Sequence, residues 1–458
     1  MKKFVVSLLV TLVLIYTCPL YSSAATAPAQ HNALRSTQPL STEDYTGTAS
    51  AVLLYELNTQ TLVYAHNPDL SVNPSGLVKL LTVLIVLEEG NLDDVVTVKR
   101  STLNTIGAGA VSAGLKAGEE ITLRDLVYCV MVSSANDAAA VMAEHVAGSQ
   151  SAFVEKMNAR AATLGCVNTH FVNVHGLSDN RQHSTARDLA IITAEAMKND
   201  QFRYYFGVTN YTVPATNQSA SRALITTNYL MDTTRAYYDE RVTGGKPAAA
   251  TTADRSVICT ARTETAEYLC VVISAKARTS GGAVTRFTNF DEASKLLTFG
   301  FDGFAVQQVL GTEQPMGLYT VSGGENDVVV GPDEALYALL PRPFDPSQLR
   351  LEDVRDEQAL CAPVREGSKV GVVQVYYGSV LIEQANLLAR HGVALKGSSV
   401  VAPAEEQSGS GRLISVLAII FVVLLLGAVF VVLWRKHRIP HLQKTKTAKT
   451  IKKKGERT

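Results

Sequence analysis

A run of 22 residues without a charge, Leu413 to Trp434, is the strongest constraint that this 458-residue sequence places on its own folding. At 1.5 Å per residue, a helix of that length reaches about 33 Å, enough to cross a hydrocarbon core of about 30 Å. Arg435-Lys436-His437-Arg438 follows at once, and residues 435–458 carry ten Lys or Arg against one Glu. Basic residues stay on the cytoplasmic side of a membrane. The sequence therefore predicts a span at 413–434, a basic cytoplasmic tail at 435–458 that orients the chain and attracts anionic lipid, and a stalk at 398–412 leading to an outer portion. At the other end, Lys2-Lys3, an apolar stretch from Phe4 to Tyr16 and small residues at 22–27 follow the layout of a secretory signal peptide, expected over 1–27.

Lys+Arg and Asp+Glu both number 42, but the positive charge is gathered at the ends, which leaves residues 4–434 at a net −11. That excludes a uniformly basic nucleic-acid binder, and 47% hydrophobic residues exclude a mostly disordered chain. Beyond Cys18, five cysteines remain, and Cys129, Cys259 and Cys270 lie in apolar runs that suit buried free thiols. His170 and His175 stand five apart with no Glu between them and read as structural, so neither a metal nor another cofactor is expected.

Residues 28–45 read as a linker. An apolar run at 49–56, the turn Asn58-Thr59-Gln60-Thr61 and a return at 62–65 predict a hairpin. Apolar residues at 77, 80, 81, 84, 85 and 87 have helical period just past Pro74-Ser75. Further helices are expected over 123–146, interrupted near 133–136, over 151–164 and over 184–198, and nearly continuous apolar runs at 256–260 and 268–275 suit central strands. The pattern is that of an α+β domain over 46–302, a helical cluster on an antiparallel sheet. From about 303 to 397, short runs punctuated by Gly and Pro predict a small all-β module.

Several short motifs occur in order: Asn73-Pro74-Ser75-Gly76-Leu77-Val78-Lys79, Gly114-Leu115-Lys116-Ala117-Gly118, Ser134-Ala135-Asn136-Asp137-Ala138, Val174-His175-Gly176-Leu177 and His183-Ser184-Thr185-Ala186-Arg187-Asp188. Together they resemble the low-molecular-mass penicillin-binding proteins, the serine-type D-alanyl-D-alanine carboxypeptidases of peptidase family S11, over about 45–397. The resemblance implies a β-lactamase/transpeptidase-like fold and a role in peptidoglycan metabolism at the outer face of the cell membrane. It also implies three catalytic elements. A serine at a helix start attacks, with a lysine one turn later as its base; an S-x-N loop moves protons and holds substrate; a K-T-G strand meets the substrate carboxylate. Backbone N–H groups of the nucleophile and the strand form the oxyanion hole.

Carried over residue by residue, Lys79, Ser134 and Asn136 take catalytic positions, and Lys246 and Ala249 take substrate-binding ones. Two elements depart from the pattern. The residue three before Lys79 is Gly76, so the nucleophile position has no side chain, and Lys246-Pro247-Ala248 stands where K-T-G is expected. Pro247 removes a hydroxyl and a backbone N–H. Ser75 is an alternative nucleophile, since i,i+4 side chains on a helix meet, but one residue rotates it by about 100° around the axis; it equally suits a helix N-cap. Three readings follow: an impaired carboxypeptidase relative that binds stem peptides or a partner protein, an active carboxypeptidase using Ser75, and a structural scaffold with a vestigial groove.

Overall fold

The apolar runs pair into an antiparallel sheet whose centre is covered on both faces. In the computed structural model, which describes residues 38–107 and 109–397, β1 (Ala51–Glu56) and β2 (Thr61–His66) form the expected hairpin. The sheet is completed by β3 (Val242–Ala249), β4 (Asp254–Arg262) and β5 (Glu267–Lys276) in the order β2-β1-β5-β4-β3. Alternate side chains serve different cores. Leu53, Tyr55, Ile258, Leu269 and Val271 pack against the helical cluster, while Val52, Leu54, Cys259, Tyr268, Cys270 and Val272 pack toward Phe290, Ala293 and Leu297 of a helix spanning Thr288–Gly303. Burial on both faces explains why β1 and β5 read as continuous apolar sequence.

The helical layer surrounds α1 (Lys79–Glu89), which is buried from Lys79 through Val86 and so lacks a polar face along that stretch. A 3-10 turn, Ser75–Val78, leads into it. The interruption expected near 133–136 is a break between α2 (Leu123–Ser133) and α3 (Asn136–Ala147), with Ser134 in the left-handed region at φ 62°. Asp137, in the first turn of α3, binds the Ser112 hydroxyl at 2.6 Å and the N–H groups of Ala113 and Leu115 at 2.9 and 3.1 Å. One carboxylate at a helix N-terminus thus fixes the Gly-Leu-Lys loop. α4 (Gln150–Thr163), α5 (Ala186–Ala196) and the short helix Asp200–Phe206 also belong to the layer, and the Thr185 hydroxyl caps α5 by accepting from Asp188 N–H at 3.0 Å.

The strand Phe304–Leu310 follows directly on the helix ending at Gly303 and pairs with Leu336–Pro341. A five-stranded antiparallel sheet with its own core, including Val330, Leu340, Val373 and Leu387, makes up most of the remainder. Its edge strand Leu349–Arg355 has little apolar signal because it is mostly exposed. Residues 38–45, expected as linker, dock on the hairpin: Leu40 and Ser41 donate to Leu62 and Val63 carbonyls, and the Tyr45 hydroxyl donates to Glu292. The expected signal peptide, most of the linker, the stalk, the span at 413–434 and the basic tail lie outside the described residues. Among the described residues no helix is long and apolar enough to cross a membrane.

Replacing Thr185 by Ala removes the α5 cap and is expected to lower stability by about 1 kcal/mol, with Ser retaining most of it; the shift in urea midpoint at constant m checks this.

Candidate active site

The start of α1 is held in a strained geometry that decides where two adjacent residues point. Ser75 has φ 48°, a left-handed conformation uncommon for a non-glycine residue. Its N–H donates to Asn73 Oδ1 at 2.9 Å, and its hydroxyl donates to the carbonyl of Ala249 on β3 at 2.8 Å. Ser75 is not the helix N-cap: Pro74 precedes the 3-10 turn and Val78 precedes α1, and neither makes a side-chain cap. Gly176 presses against this turn with φ 81°, and a Cβ there would lie 1.9 Å from the Ser75 carbonyl oxygen, so only glycine fits.

Gly76 occupies the corner on which the other groups converge. A Cβ built on it would stand 3.5 Å from Ala248 Cβ, 3.7 Å from Ser134 Oγ and 3.8 Å from Lys79 Nζ. These are ordinary contact distances, and Gly76 is not in the positive-φ region, so a Cβ there would meet neither clash nor strain.

Behind this corner are two buried lysines. Lys79, 2% exposed, donates to Asn136 Oδ1 at 2.8 Å and to the carbonyl of His175. Asn136 is itself held by Val111, whose carbonyl takes the Asn136 N–H at 2.8 Å and its Nδ2 at 2.9 Å. Burial, and then the charge of Lys246, hold the Lys79 amine well below its usual range. Lys246, 0% exposed, donates to the Val130 carbonyl at 2.8 Å, and burial lowers its pKa to about 7. Burial and the neighbouring Lys79 likewise lower His175 to about 4, leaving its ring neutral at pH 7.

β3 is the edge strand beside the cleft. Ala250 N–H donates to Asp254 on β4 at 3.1 Å. By the two-residue alternation of a strand, the N–H and C=O of Ala249, and the backbone of Pro247, face the open edge. The Ser75–Ala249 bond agrees with that assignment. Pro247 therefore breaks no ladder bond and removes only an edge donor.

Ser75, Gly76, Lys79, Ser134, Asn136 and Ala249 all line one cleft of about 450 Å³. Lys246 does not line it but sits beneath the Ser134 turn. Sequence reasoning missed the His175 carbonyl, although the Val-His-Gly-Leu motif marked the place. It also missed the aromatic wall of Tyr229 and Phe287, over which Arg255 lies with its guanidinium carbon 5.4 Å from the Phe287 ring centre.

The family model for D-alanyl-D-alanine carboxypeptidase (peptidase S11) matches residues 37–277. The chain is 28% identical over 359 residues to the D-alanyl-D-alanine carboxypeptidase DacD of Salmonella typhimurium, covering 76% of this chain and 87% of that protein. It is 27% identical over 350 residues to DacA of Escherichia coli, covering 74% and 82%. Among solved structures, penicillin-binding protein 5 from Haemophilus influenzae matches with a TM-score of 0.62 at 27% identity, covering 77% of this chain and all of that one. Penicillin-binding protein 6B from Escherichia coli matches with 0.56 at 25%, covering 77% and 98%.

Two outcomes follow from this geometry. Gly176→Ala must displace the Ser75 carbonyl, and a loss of more than about 2 kcal/mol is expected by chemical denaturation, together with weakened ligand binding. The lowered pKa of Lys246 means that the unfolded chain binds more protons between about pH 7 and the ordinary lysine range, so stability rises with pH there. Relative to Lys246→Met, the wild type is expected to gain about 2 kcal/mol between pH 7 and pH 9, measured by urea unfolding at both values.

Proposed function

From the premise that this chain belongs to the D-alanyl-D-alanine carboxypeptidase family, peptidase S11, we propose that it is a membrane-anchored, extracytoplasmic member that acts by binding peptidoglycan stem peptides and is impaired as a serine peptidase. The observation that carries this reading is Gly76 at the corner between Lys79 Nζ and Ser134 Oγ, where an attacking hydroxyl would have to stand. Anchoring rests on Leu413 to Trp434 and the basic residues after it, with the tail cytoplasmic. Binding is supported by the groups that remain. Lys79, Ser134 and Asn136 line a cleft whose open strand edge presents the N–H of Ala249, and Arg255 brings positive charge toward a peptide carboxylate. Loss of a nucleophile costs orders of magnitude in rate while binding energy from the rest of the site persists.

The geometry disfavours Ser75 as a replacement nucleophile. Its hydroxyl is donated to Ala249, and Lys79 directs hydrogen bonds to Asn136 and His175. A misplacement of about 1 Å already costs about a hundredfold in rate.

The full-length chain incubated with a penicillin is expected to carry no stable adduct by intact mass, while titration calorimetry detects a D-Ala-D-Ala peptide. A stable adduct lost on Ser75→Ala would establish the active-serine reading instead, and the absence of heat with the peptide would favour a scaffold. Gly76→Ser alone is expected to leave D-alanine release at background. Combining it with Pro247→Thr and Ala248→Gly should raise release by at least a hundredfold, read by chromatography of the released amino acid.

A further inference from the structure

Glycine at the corner does more than delete an oxygen. It leaves a recess on the cleft wall, flanked by Ser134 Oγ and Lys79 Nζ at 3.7 and 3.8 Å from where a Cβ would stand. A water molecule needs roughly 30 Å³ and two to four polar partners, and Lys79 Nζ and Ser134 Oγ are the polar atoms nearest this corner. We infer that the recess seats the attacking water itself, so that the cleft hydrolyses strained cyclic amides of the β-lactam class by direct water attack, with no covalent enzyme intermediate. This rests on the reading that Gly76 holds the nucleophile's place.

The donor pattern of Lys79 supports the assignment. Asn136 Oδ1 and the His175 carbonyl take two N–H groups from Nζ. A neutral amine has two N–H groups and one lone pair, so the lone pair is left for the Gly76 side. Burial and the neighbouring Lys246 favour that neutral form. The order of events balances without any other reagent. The water oxygen bonds to the lactam carbonyl carbon as its proton passes to Lys79 Nζ. The carbonyl oxygen becomes an oxyanion facing the edge N–H of Ala249 and the first-turn N–H of Gly76. The oxyanion then collapses, the C–N bond breaks, and the proton on Lys79 crosses through the Ser134 hydroxyl to the departing nitrogen. One water is consumed, the ring opens to an amino acid, and Lys79 ends neutral as it began. Ring strain matters because a site lacking its nucleophile still accelerates a reaction by about a thousand- to ten-thousand-fold over water, which is observable only for an already reactive amide.

The test uses the full-length chain and a chromogenic cephalosporin, with binding followed in parallel by calorimetry using a D-Ala-D-Ala peptide. Expected are multiple turnovers at about a thousandfold or more over buffer, linear progress from time zero, and no protein adduct by intact mass at any time. Gly76→Ala puts a methyl into the recess without a clash, and Lys79→Met removes the base. Each is expected to cut the rate at least tenfold, and Gly76→Ala to keep the wild-type melting temperature. A wild-type rate equal to buffer with binding intact overturns this inference and leaves the proposed function standing, as does an unchanged rate in folded Gly76→Ala. A covalent adduct on the wild type overturns both, and so does absence of both binding and turnover.

Discussion

Lys79 Nζ, bound to Asn136 Oδ1 and to the His175 carbonyl, ties the central helix to the α2–α3 break and to the loop through Gly176. All three partners are buried, so the bond network exists only where each element is already in place. An isolated ammonium in such a setting would be costly, and the chain offers it dipoles rather than a carboxylate. The same is true of Lys246, whose Nζ rests on the Val130 carbonyl at the end of α2. Neither lysine has a carboxylate within ion-pairing distance among the described residues. Their mutual repulsion adds to desolvation and pushes Lys79 toward the neutral amine, which is the protonation state a base requires.

The turn ahead of Lys79 stores strain for a positional purpose. A non-glycine residue held at positive φ costs on the order of 1 kcal/mol and persists only where its surroundings over-determine it. Here Asn73 takes the Ser75 N–H, Ala249 takes its hydroxyl, and Gly176 closes against its carbonyl. Those three contacts send the Ser75 side chain to the strand edge and turn the next residue toward Lys79 and Ser134. The strained turn is therefore held firmly around a residue that has no side chain.

Most of this was legible in the residues themselves. The hairpin, the buried helix and the break at Ser134 announced themselves through period and turn chemistry, because in each case local preference and burial agree. The order of the short motifs pointed to Lys79, Ser134, Asn136 and the empty position at Gly76. The strand Leu349–Arg355 was not legible, since a mostly exposed, charged edge strand has no apolar alternation to read. Nor was the contribution of His175, which acts through its backbone carbonyl, a group every residue carries. Lys246 was expected on the cleft wall and lies beneath it, because register fixes which strand residue reaches the edge while side-chain reach fixes how deep the amine goes. Ser75 as a helix cap failed for a local reason: the first turn is 3-10, and the serine belongs to it rather than preceding it.

The two departures from the family pattern fall where folding is indifferent and chemistry is not. Pro247 sits on an edge strand with its nitrogen turned away from β4, so the sheet loses no hydrogen bond. Gly76 lies in the 3-10 turn ahead of the buried helix in an unstrained conformation, and an added Cβ would meet only ordinary contacts. As charged groups the lysines are costly to folding, because each is desolvated without a carboxylate partner among the described residues. An inert scaffold gains nothing from two desolvated amines, a residue at positive φ and a glycine that tolerates no side chain, each of which lowers stability or narrows what the position accepts. Ser75, Lys79 and Gly176 line one cleft, with Lys246 beneath its wall, and β3 forms the open strand edge beside it. The residues Ser75, Lys79 and Gly176 thus place costs to stability along one cleft wall, at positions where the neighbouring sheet and helices do not call for them.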